Sequence, residues 1–390
     1  MSDISVLIIG AGPAGLAIAG RLRKLHIPFE IIEKTEHVAP AWHEHYDRLH
    51  LHTVKEWSHL PHLPFPVDYP RYVSRQQLVK YYENYIHEFN IQPHFGEEVI
   101  SIKKSNDKWR VKTLSGKKWE AAHVVIATGV NRSVNRPLFE GEEIFQSRIM
   151  HSRLYKNAEA FENQKVLVVG MGNTGAEIAL DLSEHHIETY LSIRSPVNIV
   201  PRDTFAGPTQ LTALRLSKLP TWLGDRLGTL LGKIMVGDLS KYGIQNPKLP
   251  PAAQLRVFGK TPVIDIGTVA QIKAGKIKVL PSIQHFEKNE IVFTNGEKYA
   301  FNSVILATGY RAKLQDFLDD TEGLLDEQGY PKEIIGKEKF AGLYFLGFDN
   351  YVAGGILGVI YRDSEKIANH LRTLLSLLNG TQINAGATDG

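Results

Sequence analysis

Short apolar runs alternate with amphipathic stretches of helical period along most of the chain. Ile4–Ile9 reads as a β-strand that turns through glycines into an apolar helix over Leu16–Leu25, and a second strand, Phe29–Ile32, follows. The same pattern returns at Val166–Val169, a buried-strand run leading through glycines into a helix with Ala176, Ile178, Ala179 and Leu182. Each pattern closes on an apolar strand ending in Ala-Thr-Gly, at His123–Gly129 and again at Ser303–Gly309. Between the two, periodicity predicts an amphipathic helix over Arg75–Phe89 and strands at 99–102, 109–114 and 119–121. Residues 205–262 hold two leucine-rich helical stretches, 211–219 and 223–236, interrupted by Pro208, Pro220 and Pro247–Pro251. Their stripes are expected to face the core or to form a lid; a membrane-surface helix is the rival, because Arg226 and Lys233 flank leucines. A final amphipathic helix is expected over 363–378, after a glycine-rich turn at 354–358.

The two glycine turns carry chemistry. Gly10, Gly12 and Gly15, with Pro13 and Ala14, form G-x-G-x-x-G between strand and helix, which presents backbone N–H groups and a helix N-terminus to a pyrophosphate. Glu33 lies 23 residues past Gly10, where a carboxylate accepts hydrogen bonds from an adenosine ribose. An acid there favours an adenosine without a 2′-phosphate, hence FAD or NAD. Gly170, Gly172, Asn173, Thr174 and Gly175 repeat the loop. Here the following strand ends at Arg194-Ser195, and an arginine at that place suits the 2′-phosphate of NADPH. The fold class expected is α/β, with two nested Rossmann-like dinucleotide-binding domains. The FAD-binding domain takes 1–155 and 305–390, interrupted by an NADPH-binding domain at 156–304 that carries the helical insertion at about 205–262. Two dinucleotide sites in one chain point to electrons passing between two cofactors.

Composition narrows this further. The chain of 390 residues has no cysteine, which excludes dithiol relay chemistry and thiolate metal sites. A net charge of +3 without a dense basic cluster gives no reason to expect nucleic acid. No apolar run reaches the length of a membrane span, and the N-terminus enters strand and glycine loop directly, so a cytoplasmic protein is expected. The loop 37–70 is rich in histidine, but no further ligands at metal spacing accompany the H-x-H pairs, so no metal is expected. A loop of that length usually lines a site, with Trp42 packed against a cofactor edge.

Between the two units, Phe145, His151 and Tyr155 match the linker fingerprint F-x-G-x-x-x-H-x-x-x-Y/F of class B flavin monooxygenases, with Ser147 in place of its glycine. Y-D-R-L-H-L-H (46–52), L-P-F-P (63–66), H-S-R-L-Y-K (151–156), G-K-T-P-V-I-D-I-G (259–267), I-L-A-T-G-Y (305–310) and G-L-Y-F-L-G-F (342–348) make the chain similar to the YUCCA-type branch of that family over nearly its whole length. The resemblance implies FAD, NADPH and O2, with a peroxyflavin oxygenating a small nitrogen or sulfur nucleophile, a ketone or a 2-oxo acid such as indole-3-pyruvate. It implies FAD contacts from Gly10, Gly12, Pro13, Ala14, Gly15, Glu33, Lys34, Trp42, Leu51, His52, Val99, Ala127, Thr128, Gly129, Ile356 and Leu357. The NADPH contacts are Gly170, Gly172, Asn173, Thr174, Gly175, Arg194, Ser195, Thr308, Gly309 and Tyr310. His52 aligns beside the flavin, where it would position flavin or nicotinamide, whereas His151 and Tyr155 would organise the linker. The alternatives are an NADPH oxidase or flavin reductase that releases hydrogen peroxide, and a flavin-binding redox sensor without turnover. A homodimer is compatible with either.

Overall fold

The computed structural model describes residues 4–205, 207–349 and 351–385; the side chains of 4, 231, 233 and 378–385 lie outside the description, and with them Lys233 and Leu378 of the helices expected above. Five strands form the main path of the first sheet, in the order Phe29–Ile32, Ile4–Ile9, Lys118–Ile126, Lys108–Thr113, Val99–Ser105. Lys118–Ile126 is one continuous strand where the sequence pattern suggested two. Its first half pairs antiparallel with Lys108–Thr113, and its second half runs parallel to Ile4–Ile9. Leu343–Phe345 then adds in parallel along Val124–Ile126, so the C-terminal part of the chain completes the sheet that the N-terminus begins. That is the nested arrangement.

The second sheet is parallel throughout, in the order Ile277–Leu280, Glu188–Ser192, Lys165–Val169, Ser303–Leu306, Arg148–His151. Its central strands Lys165–Val169 and Ser303–Leu306 are buried on both faces and therefore read as apolar runs. Arg148–His151 precedes the boundary drawn at 155, yet it is an edge strand of this second sheet, and Ser303–Leu306 carries the same sheet to residue 306. The pattern of four residues was too short to show which sheet they join.

Two further differences bear on the site. The last helix starts at Ile356 and runs to Ala385, beginning directly after Gly354 and Gly355, whose φ angles of +113° and +87° turn the chain into it. It packs along the first helix, Pro13–Lys24. In the insertion, Thr209–Leu216 and Thr221–Val236 form as expected, but Pro251 opens a third helix, Pro251–Phe258, instead of only interrupting. Proline's missing N–H costs nothing at a first helical position. The apolar stripe of this insertion is not wholly core-facing: Trp222, Leu227, Leu230 and Ile234 are exposed.

Candidate active site

The two glycine loops are near-copies in three dimensions. Gly10 and Gly170 both have φ +102°, and a Cβ on either would fall 2.7 Å from a carbonyl oxygen, that of Ala127 or Ala307. A Cβ on Gly15 or Gly175 would lie 1.8 or 1.9 Å from the carbonyl oxygen of Gly10 or Gly170. A Cβ on Gly12 or Gly172 would meet nothing within 4 Å, and each is the N-cap of its helix without a side-chain cap. Open space in front of uncapped N–H groups is what a pyrophosphate requires. The helix begins at Pro13 in one loop and at Asn173 in the other.

Around the first loop, Glu33 is buried, its Oε2 accepting from Ala11 N–H at 2.8 Å and its Oε1 from Thr35 N–H at 3.0 Å. Oε1 also accepts from Thr35 Oγ1 at 3.1 Å, whereas Oε2 keeps a lone pair for a ribose hydroxyl. Lys34 beside it is exposed. Ala14, Leu51, Ala127 and Leu357 share one core, against which Trp42 and Ile356 pack, so these expected FAD residues are brought together. Val99 is not. Its side chain is buried with Leu7, Ile9 and Ile32 on the opposite face of the sheet, because alternate strand residues face opposite sides. In the Ala-Thr-Gly turn, Thr128 Oγ1 is a buried polar atom without a hydrogen-bond partner and Gly129 has φ +74°. An orphaned hydroxyl at the mouth of the cradle is what a bound polar ligand would satisfy.

The second loop is more tied down. Asn173 Oδ1 accepts from Ile264 N–H at 2.7 Å, anchoring the stretch 259–267 to the loop. Thr308 Oγ1 donates to the carbonyl of Asn135, and Asn135 Nδ2 donates back to the Thr308 carbonyl. Thr174 is half-buried, and Arg194 and Ser195 stand exposed at the end of their strand.

The linker residues hold this region in place. Phe145 stacks edge-on to Phe286, far in function from the cradles. His151 Nδ1 accepts from Arg153 N–H, which leaves Nε2 to donate to the Gly309 carbonyl at 3.2 Å. Burial lowers its pKa, so a neutral ring straps the linker to the second Ala-Thr-Gly turn. Tyr310 packs edge-on to His151 and lies under the Arg153 guanidinium. Tyr155 donates to Asp181 Oδ2 at 2.6 Å inside the core. A run of ring contacts, Tyr82–Trp42–His45–Tyr46–Tyr155–Phe161, crosses from the first unit to the second with centroids 5.6–6.4 Å apart.

At this joint lies a cavity of about 410 Å³, lined by Arg48, His50, His52, Arg202 and Ile266 on one side and by Glu177, Asp181 and Glu184 on the other. The acids stand at i, i+4 and i+7 of the helix Asn173–Glu184, a single stripe. Arg48 lies in the turn that Leu49 N–H closes onto the Tyr46 carbonyl, and His50 and His52 follow it at every second residue. Arg48 bridges to Asp181 and Glu184 at 3.3 and 2.8 Å. His52 Nε2 lies 2.7 Å from Glu177 Oε1, a distance reached without hydrogen-bond alignment. Glu177 Oε1 and His52 Nδ1 are therefore both buried polar atoms lacking a hydrogen-bond partner. Burial first, and the Glu177 carboxylate second, hold the Tyr46 phenol well above its ordinary pKa. Sequence reasoning singled out His52 but missed Glu177, Arg48 and Arg202. The signal was there as the i, i+4, i+7 acids opposite R-L-H-L-H.

Two glycine cradles of like geometry, one with a buried acid beside it and one followed by an exposed arginine, are those of an FAD- and NADPH-dependent flavoprotein. The model of the flavin-binding monooxygenase-like family matches residues 5–329, and the chain belongs to that family. It is 36% identical over 95% of its length, and 89% of the other chain, to a probable indole-3-pyruvate monooxygenase of Arabidopsis thaliana, YUCCA8. A second from the same plant, YUCCA3, is 38% identical over 88% of this chain and 81% of its own. Among solved structures, a flavin-containing monooxygenase from Stenotrophomonas maltophilia superposes with TM-score 0.74 at 20% identity, covering 96% of this chain and all of that one. The enzyme is a flavin-dependent monooxygenase using FAD and NADPH.

Proposed function

We propose that the enzyme transfers one oxygen atom from O2 to a small 2-oxo acid bearing an aromatic ring, indole-3-pyruvate being the candidate suggested by the names of its relatives. The observation that carries this reading is the cationic wall of the cavity at the joint. Arg48 is spent on Asp181 and Glu184. Arg202 is stacked on the Tyr72 ring at 4.2 Å and paired only loosely with Asp203, at 3.5 Å, which leaves guanidinium donors for a substrate carboxylate. The volume of about 410 Å³ suits a ligand of one bicyclic ring.

Bound FAD would take a hydride from NADPH and activate O2; the chain's own residues position and shield. The uncapped N–H groups behind Gly12 and Gly172 hold the two pyrophosphates. Glu33 accepts from the FAD ribose, and Arg194 with Ser195 binds the 2′-phosphate of NADPH. Thr128 Oγ1 gains the partner it lacks. His52, with Nε2 2.7 Å from Glu177, has its Nδ1 without a protein partner and so available for a contact with the cofactors. The aromatic run from Tyr82 to Phe161, with the half-buried His45 in it, keeps water from the joint.

The test is stoichiometric. Oxygenated product should match NADPH consumed with indole-3-pyruvate, and Arg202→Ala should raise KM for it about tenfold or more, as a lost charge-assisted hydrogen bond implies. An uncharged sulfide or ketone should be unaffected by that substitution. Hydrogen peroxide equal to NADPH consumed, whatever the substrate, would mark an oxidase instead.

A further inference from the structure

The helical insertion leaves an apolar face with nothing packed on it. Of nineteen exposed large apolar side chains among the described residues, nine lie between Phe205 and Phe258, a small fraction of the chain. On the helix Thr221–Val236 they form a row: Trp222 is 62% exposed, Leu230 55% and Ile234 65%, with Arg226 completing the four-residue spacing. Leu227 borders the row. The Arg256–Asp225 ion pair at 2.7 Å brings the end of the helix Pro251–Phe258, with its exposed Val257 and Phe258, beside the start of this one. A surface of this size on a folded protein calls for an occupant.

Charge identifies the occupant. Residues 205–262 contain eight lysines and arginines against two aspartates, whereas the whole chain has a net charge of only +3. The insertion is therefore strongly basic and the rest of the molecule net acidic. Arg215, Lys218, Arg226, Lys241 and Lys248 are all exposed, and Arg226 lies over the Trp222 ring at 5.9 Å, within the row itself. A second copy of this chain would set one strongly basic face against another, which disfavours a dimer through this surface. A helix with an apolar row and a basic surround instead fits an anionic lipid interface, with the row sunk among the acyl chains and the cations at the headgroups. No helix among the described residues is long and apolar enough to cross a membrane, so the contact is with a surface.

We propose that the face built from Thr221–Val236 and the end of Pro251–Phe258 docks the enzyme reversibly on anionic lipid. The proposal is independent of which substrate the enzyme oxygenates. Gln210 links the insertion to the rest: its Oε1 accepts from Val54 N–H at 2.8 Å, and its Nε2 donates to the Gly354 carbonyl at 2.6 Å. Docking therefore holds the whole enzyme, not a loose appendage, at the surface.

The experiment is co-sedimentation of the FAD-loaded enzyme with vesicles of phosphatidylcholine alone or with about one third phosphatidylglycerol. The wild type should partition about tenfold more strongly onto the anionic vesicles and come off with salt. The triple variant Trp222→Ser, Leu230→Ser, Ile234→Ser and the charge variant Lys218→Glu, Arg226→Glu should each lose that preference, with flavin absorbance retained as proof of folding. Failure of the wild type to bind anionic vesicles, or equal binding by both variants, overturns the proposal. So does a wild-type dimer in sedimentation velocity that the triple variant dissolves, because the face would then be a protein interface.

Discussion

The two cradles have glycines of the same φ with nearly the same close approaches, yet they differ in the side chains around those glycines. The first places a buried carboxylate, Glu33, against its own loop and leaves Thr128 Oγ1 orphaned. The second has an exposed Arg194 and ties Thr308 and Asn173 to neighbouring backbone. A phosphate cradle is thus a backbone property, fixed by three glycines. Which nucleotide it takes is a side-chain property, set one strand later. The first site is also more enclosed by core, as expected for a resident cofactor; the second ends in solvent, as expected for one that exchanges.

The largest test of this contrast substitutes equivalent glycines. Gly15→Ala and Gly175→Ala each drive a Cβ into a carbonyl oxygen and should cost about 3 kcal/mol or more locally. Gly15→Ala should purify without flavin colour, whereas Gly175→Ala should stay yellow and show a KM for NADPH raised about 100-fold. Normal reduction of Gly175→Ala by NADPH would remove the second loop from nicotinamide binding.

The joint between the cradles gives the next effect. Burial first, then the charges of Arg153, Lys156 and Arg75, push the His45 pKa down from 6.5 to about 4. Between those values the unfolded chain binds a proton that the folded one refuses. Stability is therefore full above pH 6.5 and falls as pH drops toward 4, by about 3 kcal/mol from this group. Thermal unfolding of His45→Gln across that range should show a flatter pH dependence than the wild type.

Smaller still is the discriminator. Arg194→Ala should raise KM for NADPH about 10- to 30-fold, the loss of one charge-assisted contact, and leave NADH nearly unchanged. Equal effects on both would deny Arg194 the 2′-phosphate. The finest comparison is between the two threonines. Thr128→Val should weaken FAD binding severalfold without destabilising the apoprotein, whereas Thr308→Val should cost about 1 kcal/mol of stability and leave FAD binding intact. Calorimetric unfolding with and without FAD separates them.

The loops were legible in the sequence because their glycines depend on neighbours in the chain, and the nesting because the strand–loop–helix pattern occurs twice. Only glycine adopts φ +102° at no cost beside a carbonyl, and Glu33 and Arg194 sit at fixed offsets from it. Glu177 was not legible in the same way. A glutamate in the second turn of a helix, heading a stripe of acids, reads as solvated, and its burial depends on residues 46–52 folding over it from far away in sequence. The H-x-H pairs drew attention as candidate metal ligands, whereas His50 and His52 have the acids of that helix as neighbours and His43 has Glu83. The leucine stripe of 223–236 told that a face exists, but periodicity carries no information about what covers it. Arg148–His151 could have joined either sheet, since a four-residue run specifies a strand and not its partner.

Gln210 holds Val54 and Gly354 with the two ends of a single carboxamide. A glutamate there could accept but not donate, and a displacement of its helix by more than about 1 Å would stretch one bond or the other past useful length. The amide therefore works as a caliper spanning two chain segments that are 300 residues apart in sequence. Any force on the helix Thr209–Leu216 is handed, through that side chain, to the turn that starts the last helix.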